Sequence, residues 1–337
     1  MRKVLSLAVA AAIFLLCALP ASSAPQPAYP AMNIRLSHNQ PVDSPEDVGA
    51  QKFKELVEER SGGRITVEVF PQMQLGSMRE QTEMVQMGTI EVSIQPTAVL
   101  MPFVEELQLI DFPFLWPSRE DLYRVMDGQI GQRFYAFGEK RGFKMLGLWS
   151  GGFKQFTTKG KQINSPEDFK GMKMRVMPSP LLLEQYQAWG ANPVPIEYAE
   201  LYNALQQNIV DGEENPLQSI AMNRFYEVQD YLTLSGHGFF GYLFFVGQEW
   251  FNRLPDNVKA LITECEREAR ELERETQAKN EAGYLEQIRQ SKIVINELTP
   301  EGRKAFADVS RPLHSKFANT SEMASLLEAV YEATGQN

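Results

Sequence analysis

Alternating extended and helical segments near the start of the chain limit its fold more than any other feature. The predicted order is strand 34–37, a helix from Pro45 to the glycines 62–63, strand 64–70, helix 78–87 and strand 90–94. Ser44 is a suitable cap for the first helix, and Pro45 suits its first turn. Because strands that are joined by helices usually lie parallel in one sheet, this order predicts an α/β fold with parallel strands.

Similar segments continue to the end of the chain. We predict a helix at 118–139, a strand at 145–149 and a crossing between two lobes near the glycines 151–152. A long helical stretch from Pro255 to about residue 290 is dense in Glu, Arg and Lys. We interpret these charges as a solvent-exposed face with ion pairs four residues apart.

The first 24 residues are typical of a cleavable signal peptide. Arg2 and Lys3 precede an apolar stretch at 4–19, and small residues at 22–24 allow cleavage near Ala24. The apolar stretch is shorter than the ~20 residues of a membrane-spanning helix. We therefore expect a periplasmic protein that is not itself embedded in the membrane.

The charge of the chain argues against nucleic acid as a partner. It has 33 basic and 43 acidic residues, a net charge of −10 that becomes about −12 without Arg2 and Lys3. No basic cluster provides the positive surface that nucleic-acid binding requires. An acidic protein that binds an anion must do so with a few local positive groups, so a single arginine can decide the function.

No catalytic or metal-binding motif is present. The histidines at 38, 237 and 314 lack metal-ligand spacing, and no nucleophile elbow, phosphate loop or dinucleotide fingerprint occurs. We therefore predict no catalytic residues, no metal and no cofactor. His38 and His237 each lie beside a strand end, where a ligand contact and a structural hydrogen bond are both reasonable.

Two short segments suggest anion binding. In 171–180 (GMKMRVMPSP), Lys173 and Arg175 lie two apart on a strand and so share a face. Arg175 at the strand end could bind a carboxylate through two hydrogen bonds, or simply pair with a neighbouring acid. In 210–216 (VDGEENP), Asn215 offers a donor and an acceptor at the end of a strand, although Asn-Pro also forms turns.

At these segments the chain resembles the DctP-type solute-binding subunits of tripartite ATP-independent periplasmic (TRAP) transporters. The similarity extends from about residue 33 to 310, and its specificity lies in the succession of motifs. The matching segments are 69–76, 169–176, 198–207, 210–216, 226–235 with His237, and the start of the long helix from Trp250 to Pro255.

The resemblance implies a two-lobed periplasmic-binding fold with a ligand cleft between the lobes and a long helix that spans both. The implied division is a signal peptide at 1–24, lobe I at 25–152 plus about 240–280, and lobe II at 153–239 plus about 281–337. The implied function is to capture a small organic acid and deliver it to a TRAP membrane permease, without a cofactor.

The resemblance also assigns roles to individual residues. Arg175 falls on the arginine that binds the ligand's carboxylate, and Asn215 on a ligand-contacting asparagine. Family members often have a second basic residue about twenty positions before this arginine. Lys154 occupies that position here, or Gln155 if the alignment shifts by one. An asparagine at 215, where cation-dependent members tend to have an aromatic residue, implies binding without a metal.

Other features remain open from the sequence. Trp149, Phe153 and Gln95 are candidates for the remaining pocket lining, and each is equally suited to a core. Alternative functions are a binding protein that signals to a membrane receptor kinase, and an exported hydrolase or lyase of small acids. The sequence decides neither the identity of the acid nor whether the protein is a monomer or a dimer.

Overall fold

The computed structural model describes residues 29–336, so the predicted signal peptide at 1–24 lies outside the described residues. No helix within this range is both long enough and apolar enough to cross a membrane. The strands are β1 Met32–His38, β2 Ile65–Phe70, β3 Val92–Pro96, β4 Phe143–Thr158, β5 Lys173–Val176, β6 Asn192–Pro195, β7 Gly212–Pro216, β8 Tyr231–Leu234, β9 Phe239–Gly247 and β10 Val294–Glu297.

Twelve α-helices are found among the described residues. They are α1 Pro45–Arg60, α2 Met78–Gln86, α3 Thr97–Leu100, α4 Arg119–Met126, α5 Gln129–Glu139, α6 Pro180–Ala188, α7 Leu201–Gln206, α8 Leu217–Met222, α9 Gln248–Arg253, α10 Asp256–Arg289, α11 Pro300–Phe317 and α12 Ser321–Thr334. Short 3₁₀ helices cover Glu105–Asp111, Pro166–Phe169, Tyr198–Glu200 and Phe225–Glu227.

The strands form a mixed sheet in the order β2-β1-β3-β9-β4-β7-β5-β6, and β8 pairs with both β4 and β10. The predicted α/β class is confirmed, and β1 pairs in parallel with β2 and β3 as expected. The middle of the sheet differs from the parallel expectation, because β9 and β4 are antiparallel to their neighbours. The predicted single helix at 118–139 is two helices, α4 and α5, separated at Asp127 and Gly128.

Strand β4 connects the two halves of the sheet. It pairs with β9 as far as Phe153 and with β7 from Lys154 onward. A register shift occurs between Ser150 and Gly152, and Gly152 has a φ of 97°, which favours glycine. The predicted strand 145–149 is therefore part of a longer strand that passes through the glycines instead of ending at them.

The long helix α10 packs against α1 and β4 on one side of the molecule and against α8 on the other. Its 34 residues span about 50 Å at 1.5 Å per residue. The prediction that its charges face solvent is wrong for one face. Glu273 accepts a hydrogen bond from the backbone N–H of Ser150 at 3.0 Å, and Gln277 donates to the carbonyl of Gly151 at 2.5 Å.

The last helix departs from the lobe division that the sequence suggests. Helix α12 contacts α4, α5 and the 3₁₀ helix at 105–111. These elements belong to the part of the chain assigned to lobe I, whereas residues 281–337 were assigned to lobe II. The division into lobes stays a prediction, and these contacts favour placing α12 with the first lobe.

Buried carboxyl groups lie where α1, α8 and α10 meet. Glu46 of α1 accepts a hydrogen bond from Gln218 of α8 at 2.5 Å, and both side chains are buried. Burial raises the pKa of Glu46 to about 7. Burial, together with repulsion by Glu46, also raises the pKa of Glu273. Glu46 therefore retains a proton in the folded protein at pH values where the unfolded chain has lost it.

We predict that the free energy of unfolding falls as pH rises from about 4.5 to about 7, and that Glu46→Gln flattens this dependence. In this window Glu46 keeps a proton in the folded state that it loses in the unfolded state, so this group makes stability decrease with pH. His237 and His314, whose pKa values burial lowers, act in the opposite direction in the wild type and the variant alike. The shift corresponds to roughly 3 kcal/mol for Glu46 alone. Urea denaturation at several pH values measures it, with the exposed Glu59→Gln on the same helix as control. An unchanged slope in Glu46→Gln would contradict the assignment.

Candidate ligand-binding site

Arg175 lies in β5, between β6 and β7. Lys173 on the same strand is exposed, whereas the side chain of Arg175 is 2% exposed. Its Nε donates to the carbonyl of Ile196 at 2.9 Å. Its Nη2 is buried and has no hydrogen-bond partner among the described residues, and no carboxylate of that range lies within ion-pair distance. Of the two alternatives left open for Arg175, an ion pair with a neighbouring acid is therefore not observed.

Lys154 has a partner that the sequence analysis did not identify. Its Nζ lies 2.9 Å from Oε1 of Glu214, and both side chains are buried. Lys154 pairs with Pro216 in the register of β4 and β7, so Glu214 is its diagonal neighbour on the same face. Burial lowers the pKa of Lys154, but attraction by Glu214 and Asp111 outweighs this and raises the pKa overall. Lys154 is thus a charged group whose charge is already neutralised.

His237 belongs to the same group. Its Nε2 lies 2.7 Å from Oε2 of Glu214, and its Nδ1 lies 2.7 Å from Oγ of Ser235. Burial raises the pKa of Glu214, but Lys154 and His237 outweigh this and hold it well below its usual range. An ionised Glu214 can only accept hydrogen bonds, so Nε2 of His237 carries a proton. Burial lowers the pKa of His237. Both ring nitrogens of His237 are therefore occupied by structural hydrogen bonds.

Asn215 is joined to a second buried carboxyl group. Its Nδ2 donates to Glu213, which also accepts a hydrogen bond from Oγ1 of Thr157 at 2.6 Å. Burial raises the pKa of Glu213 to about 7, although the hydrogen bonds from Thr157 and Asn215 and the charge of Arg175 oppose the shift. Arg175, Glu213 and Asn215 therefore form one electrostatic group at the ends of β5 and β7.

Gln155 points to the opposite face of β4 from Lys154. Its Oε1 accepts hydrogen bonds from the backbone N–H groups of Ser235 at 2.7 Å and Gly236 at 3.0 Å. Gln155 and Phe153 line a separate depression beside Arg303. Of the two candidates for the second basic position, only Lys154 is directed toward Glu214.

The remaining candidates from the sequence have structural contacts. Nε1 of Trp149 donates to Glu266 at 2.9 Å, and a Cβ on Gly49 would clash with its ring at 2.4 Å. Nε2 of Gln95 donates to Gln81 at 3.0 Å, and Nε2 of His38 lies 3.3 Å from Asp47. These three side chains are buried, and no contact of theirs supports a ligand role, which stays a prediction.

Residues from both halves of the molecule approach each other near Arg175. Nε2 of Gln40, after β1, donates to the hydroxyl of Tyr242 in β9 at 2.5 Å. Tyr198, which follows β6, accepts a hydrogen bond from Asn223 at 2.8 Å and lines a depression together with Asn39, which follows β1. Burial raises the pKa of Tyr198, and the charge of Arg175 opposes the shift. One surface depression has walls from Asn39 and Tyr198, and a second has walls from Met78 and Met177. The arrangement is that of a cleft between two lobes.

Several residues of the site were missed from the sequence. Glu213 and Glu214 stand in the segment 210–216 that was singled out for Asn215, and the register of β4 with β7 determines their partners. Asp111 is buried, accepts a hydrogen bond from Thr97 at 2.7 Å, and has a pKa that burial raises to about 6, although Lys154 opposes the shift. Among residues 29–336 no three His, Cys, Asp or Glu side chains come together as a metal site.

The comparisons with known proteins agree with this geometry. The family model described as bacterial extracellular solute-binding protein, family 7 (DctP) matches residues 36–321. The C4-dicarboxylate-binding periplasmic protein DctP of Rhodobacter capsulatus is 32% identical over 346 residues, covering 99% of each chain. The chain therefore belongs to family 7 of the bacterial extracellular solute-binding proteins and is a TRAP solute-binding protein of the DctP type.

Solved structures show the same fold. A TRAP periplasmic solute-binding protein from Sulfurospirillum deleyianum with bound succinate has 33% identity and a TM-score of 0.85, covering 90% of this chain and 99% of that chain. One from Desulfovibrio salexigens with bound orotic acid has 31% identity and a TM-score of 0.86, with the same coverage. The two-lobed architecture expected from the resemblance is confirmed.

We predict that Glu214→Gln destabilises the protein by about 3–5 kcal/mol, because it leaves the Lys154 ammonium buried without its counter-charge. Thermal and urea unfolding measure the loss, and Glu200→Gln, an exposed change in the same half of the chain, is the control. The double variant Lys154→Met/Glu214→Leu should recover much of the loss. Wild-type stability in Glu214→Gln would show that the pair contributes little.

Proposed function

We propose that this protein captures a small organic acid between its two lobes and delivers it to a TRAP membrane permease. The observation on which the proposal rests is the buried guanidinium of Arg175, whose Nη2 lacks a partner among the described residues. A carboxylate would supply that partner, and exclusion of water would strengthen the attraction. Relatives that bind succinate, orotic acid and, in Advenella mimigardefordensis, galactonate support the class of ligand.

The contacts of His237 and Glu214 argue against a catalytic role for these two groups. A general base needs a ring nitrogen or carboxylate within reach of the ligand's proton. His237 has both nitrogens occupied by Glu214 and Ser235, and Glu214 is occupied by Lys154. His237 and Glu214 are therefore not available as general bases, and the solute-binding relatives of the chain favour a binding protein over the alternative of a hydrolase or lyase.

We expect Arg175→Ala to abolish the thermal stabilisation that an organic acid gives the wild-type protein. Ligand at a hundred times its dissociation constant stabilises by ~2.7 kcal/mol, which a thermal-shift screen of organic acids detects. Lys173→Ala is the matched control, because Lys173 is a cation on the same strand that faces solvent. Undiminished stabilisation of Arg175→Ala would refute the proposed site.

Asn215→Ala should weaken binding by about 1–3 kcal/mol, the range for a lost buried hydrogen bond. Asn215 donates a hydrogen bond to Glu213, whose carboxyl group lies in the field of Arg175, so loss of the amide disturbs the groups around the proposed ligand. Isothermal titration with the acid found in the screen measures the change. Wild-type affinity would remove Asn215 from the site.

The protein is proposed to act in the periplasm after cleavage near Ala24. The family is extracytoplasmic, and the first residues have the charge and apolar pattern of a signal peptide. N-terminal sequencing of the protein purified from the periplasm should therefore begin near Pro25. A protein that retains Met1 in the cytoplasm would contradict export.

A further inference from the structure

The balance of charge in the cleft limits what the site can bind, given the proposed function. Arg175 and Lys154 are the two buried cations of this group. Burial lowers the pKa of Arg175, whereas attraction by Glu214 and Asp111 outweighs burial and raises the pKa of Lys154. Of these two cations, Lys154 has a carboxylate within ion-pair distance and Arg175 has none among residues 29–336. One cation is thus free to neutralise one carboxylate of a ligand.

Lys154 is poorly suited to take a second carboxylate. Its Nζ is 2.9 Å from Glu214, whose other oxygen accepts hydrogen bonds from His237 at 2.7 Å and from Tyr186 at 3.1 Å. A ligand carboxylate at Lys154 would stand beside the Glu214 carboxylate in a buried site. Two close carboxylates that share one ammonium repel each other, and burial increases that repulsion.

Two further carboxyl groups, those of Glu213 and Asp111, add negative charge to the cleft when they are ionised. Glu213 and Asp111 are buried, and neither has a cation within ion-pair distance in the described part of the chain. Their hydrogen-bond donors are the neutral groups of Thr157, Asn215 and Thr97. Apart from the Lys154–Glu214 pair, a dianionic ligand would therefore meet two carboxyl groups without an ion pair and a single free positive charge, that of Arg175.

Two buried acceptors of this region, one near Lys154 and one near Tyr198, lack a hydrogen-bond donor among the described residues and favour a ligand that has hydroxyl groups. Oδ2 of Asp111 and the amide oxygen of Gln40 are buried acceptors, and neither receives a hydrogen bond from the described residues. A carboxylate offers these acceptors no hydrogen, whereas a hydroxyl group does. The hydroxyl groups of Tyr198 and Tyr242 can both donate and accept.

From this arrangement we propose that the ligand has one carboxylate, held by Arg175, and neutral hydroxyl groups in place of a second acid group. Arg175 is the anchor, and Glu213 together with the Lys154–Glu214 pair discriminates against dicarboxylates. This specificity differs from what the bound succinate of the Sulfurospirillum deleyianum structure would suggest by similarity alone.

Matched pairs of acids test the proposal, because the members of each pair differ at one carbon. Galactonate and galactarate differ by a hydroxymethyl group against a carboxylate at C6, and 4-hydroxybutyrate and succinate differ in the same way at C4. Affinities are measured by titration calorimetry at pH 7.5 with the wild-type protein. In whichever pair binds, we expect the monocarboxylate to bind at least 100-fold more tightly than the dicarboxylate. Equal or tighter binding of the dicarboxylate overturns the inference and leaves the proposed function intact.

Binding of no acid in this panel or in a broader organic-acid screen would count against the proposed function and with it the inference.

A variant of Glu213 gives a second measurement that a purely structural role of this residue would not change. Glu213→Gln removes one buried negative charge, so the preference for the monocarboxylate should narrow at least tenfold. Glu200→Gln, on the surface, should leave the preference unchanged. An unaltered preference in Glu213→Gln would exclude Glu213 as a source of the discrimination.

Discussion

The buried ion pair between Lys154 and Glu214 determines how the rest of the site is organised. It joins β4 to β7 at the point where β4 passes from one half of the sheet to the other. Breaking such a pair leaves an uncompensated buried charge, which makes its geometry costly to change. Because Glu214 satisfies Lys154 and also fixes His237, Arg175 remains as the cation available to a ligand.

Helix α10 packs against β4, the strand that connects the two halves of the sheet. Glu266, Glu273 and Gln277 are buried on one face of this helix and hydrogen-bond to Trp149, Ser150 and Gly151 of β4. Their spacing places them on one side of a helix with 3.6 residues per turn. The helix therefore supports β4 along the residues that precede Lys154, and it extends from there to α8 in the other half of the molecule.

Much of this architecture is predictable from the chain alone, and the errors have physical causes. The cap at Ser44 and the alternation in β2 are local signals, so the first five elements agree with expectation. Arg175 is the residue to which strand position and the family resemblance both point, and its ligand role stays a prediction. The partner of Lys154 is not predictable in this way, since Glu214 becomes its neighbour only through the register of β4 with β7. The buried face of α10 is hidden for a related reason: a Glu that bonds to a neighbouring strand has the same local sequence signal as a Glu in solvent.

The central claim is that the carboxylate of the ligand is held by Arg175. A crystal structure of the protein with the tightest-binding acid of the organic-acid screen tests it most directly. The account predicts that the carboxylate oxygens lie within hydrogen-bond distance of the Arg175 guanidinium while Lys154 keeps its contact with Glu214. A carboxylate bound to Lys154 with Glu214 displaced, or an acid bound away from Arg175, would contradict it.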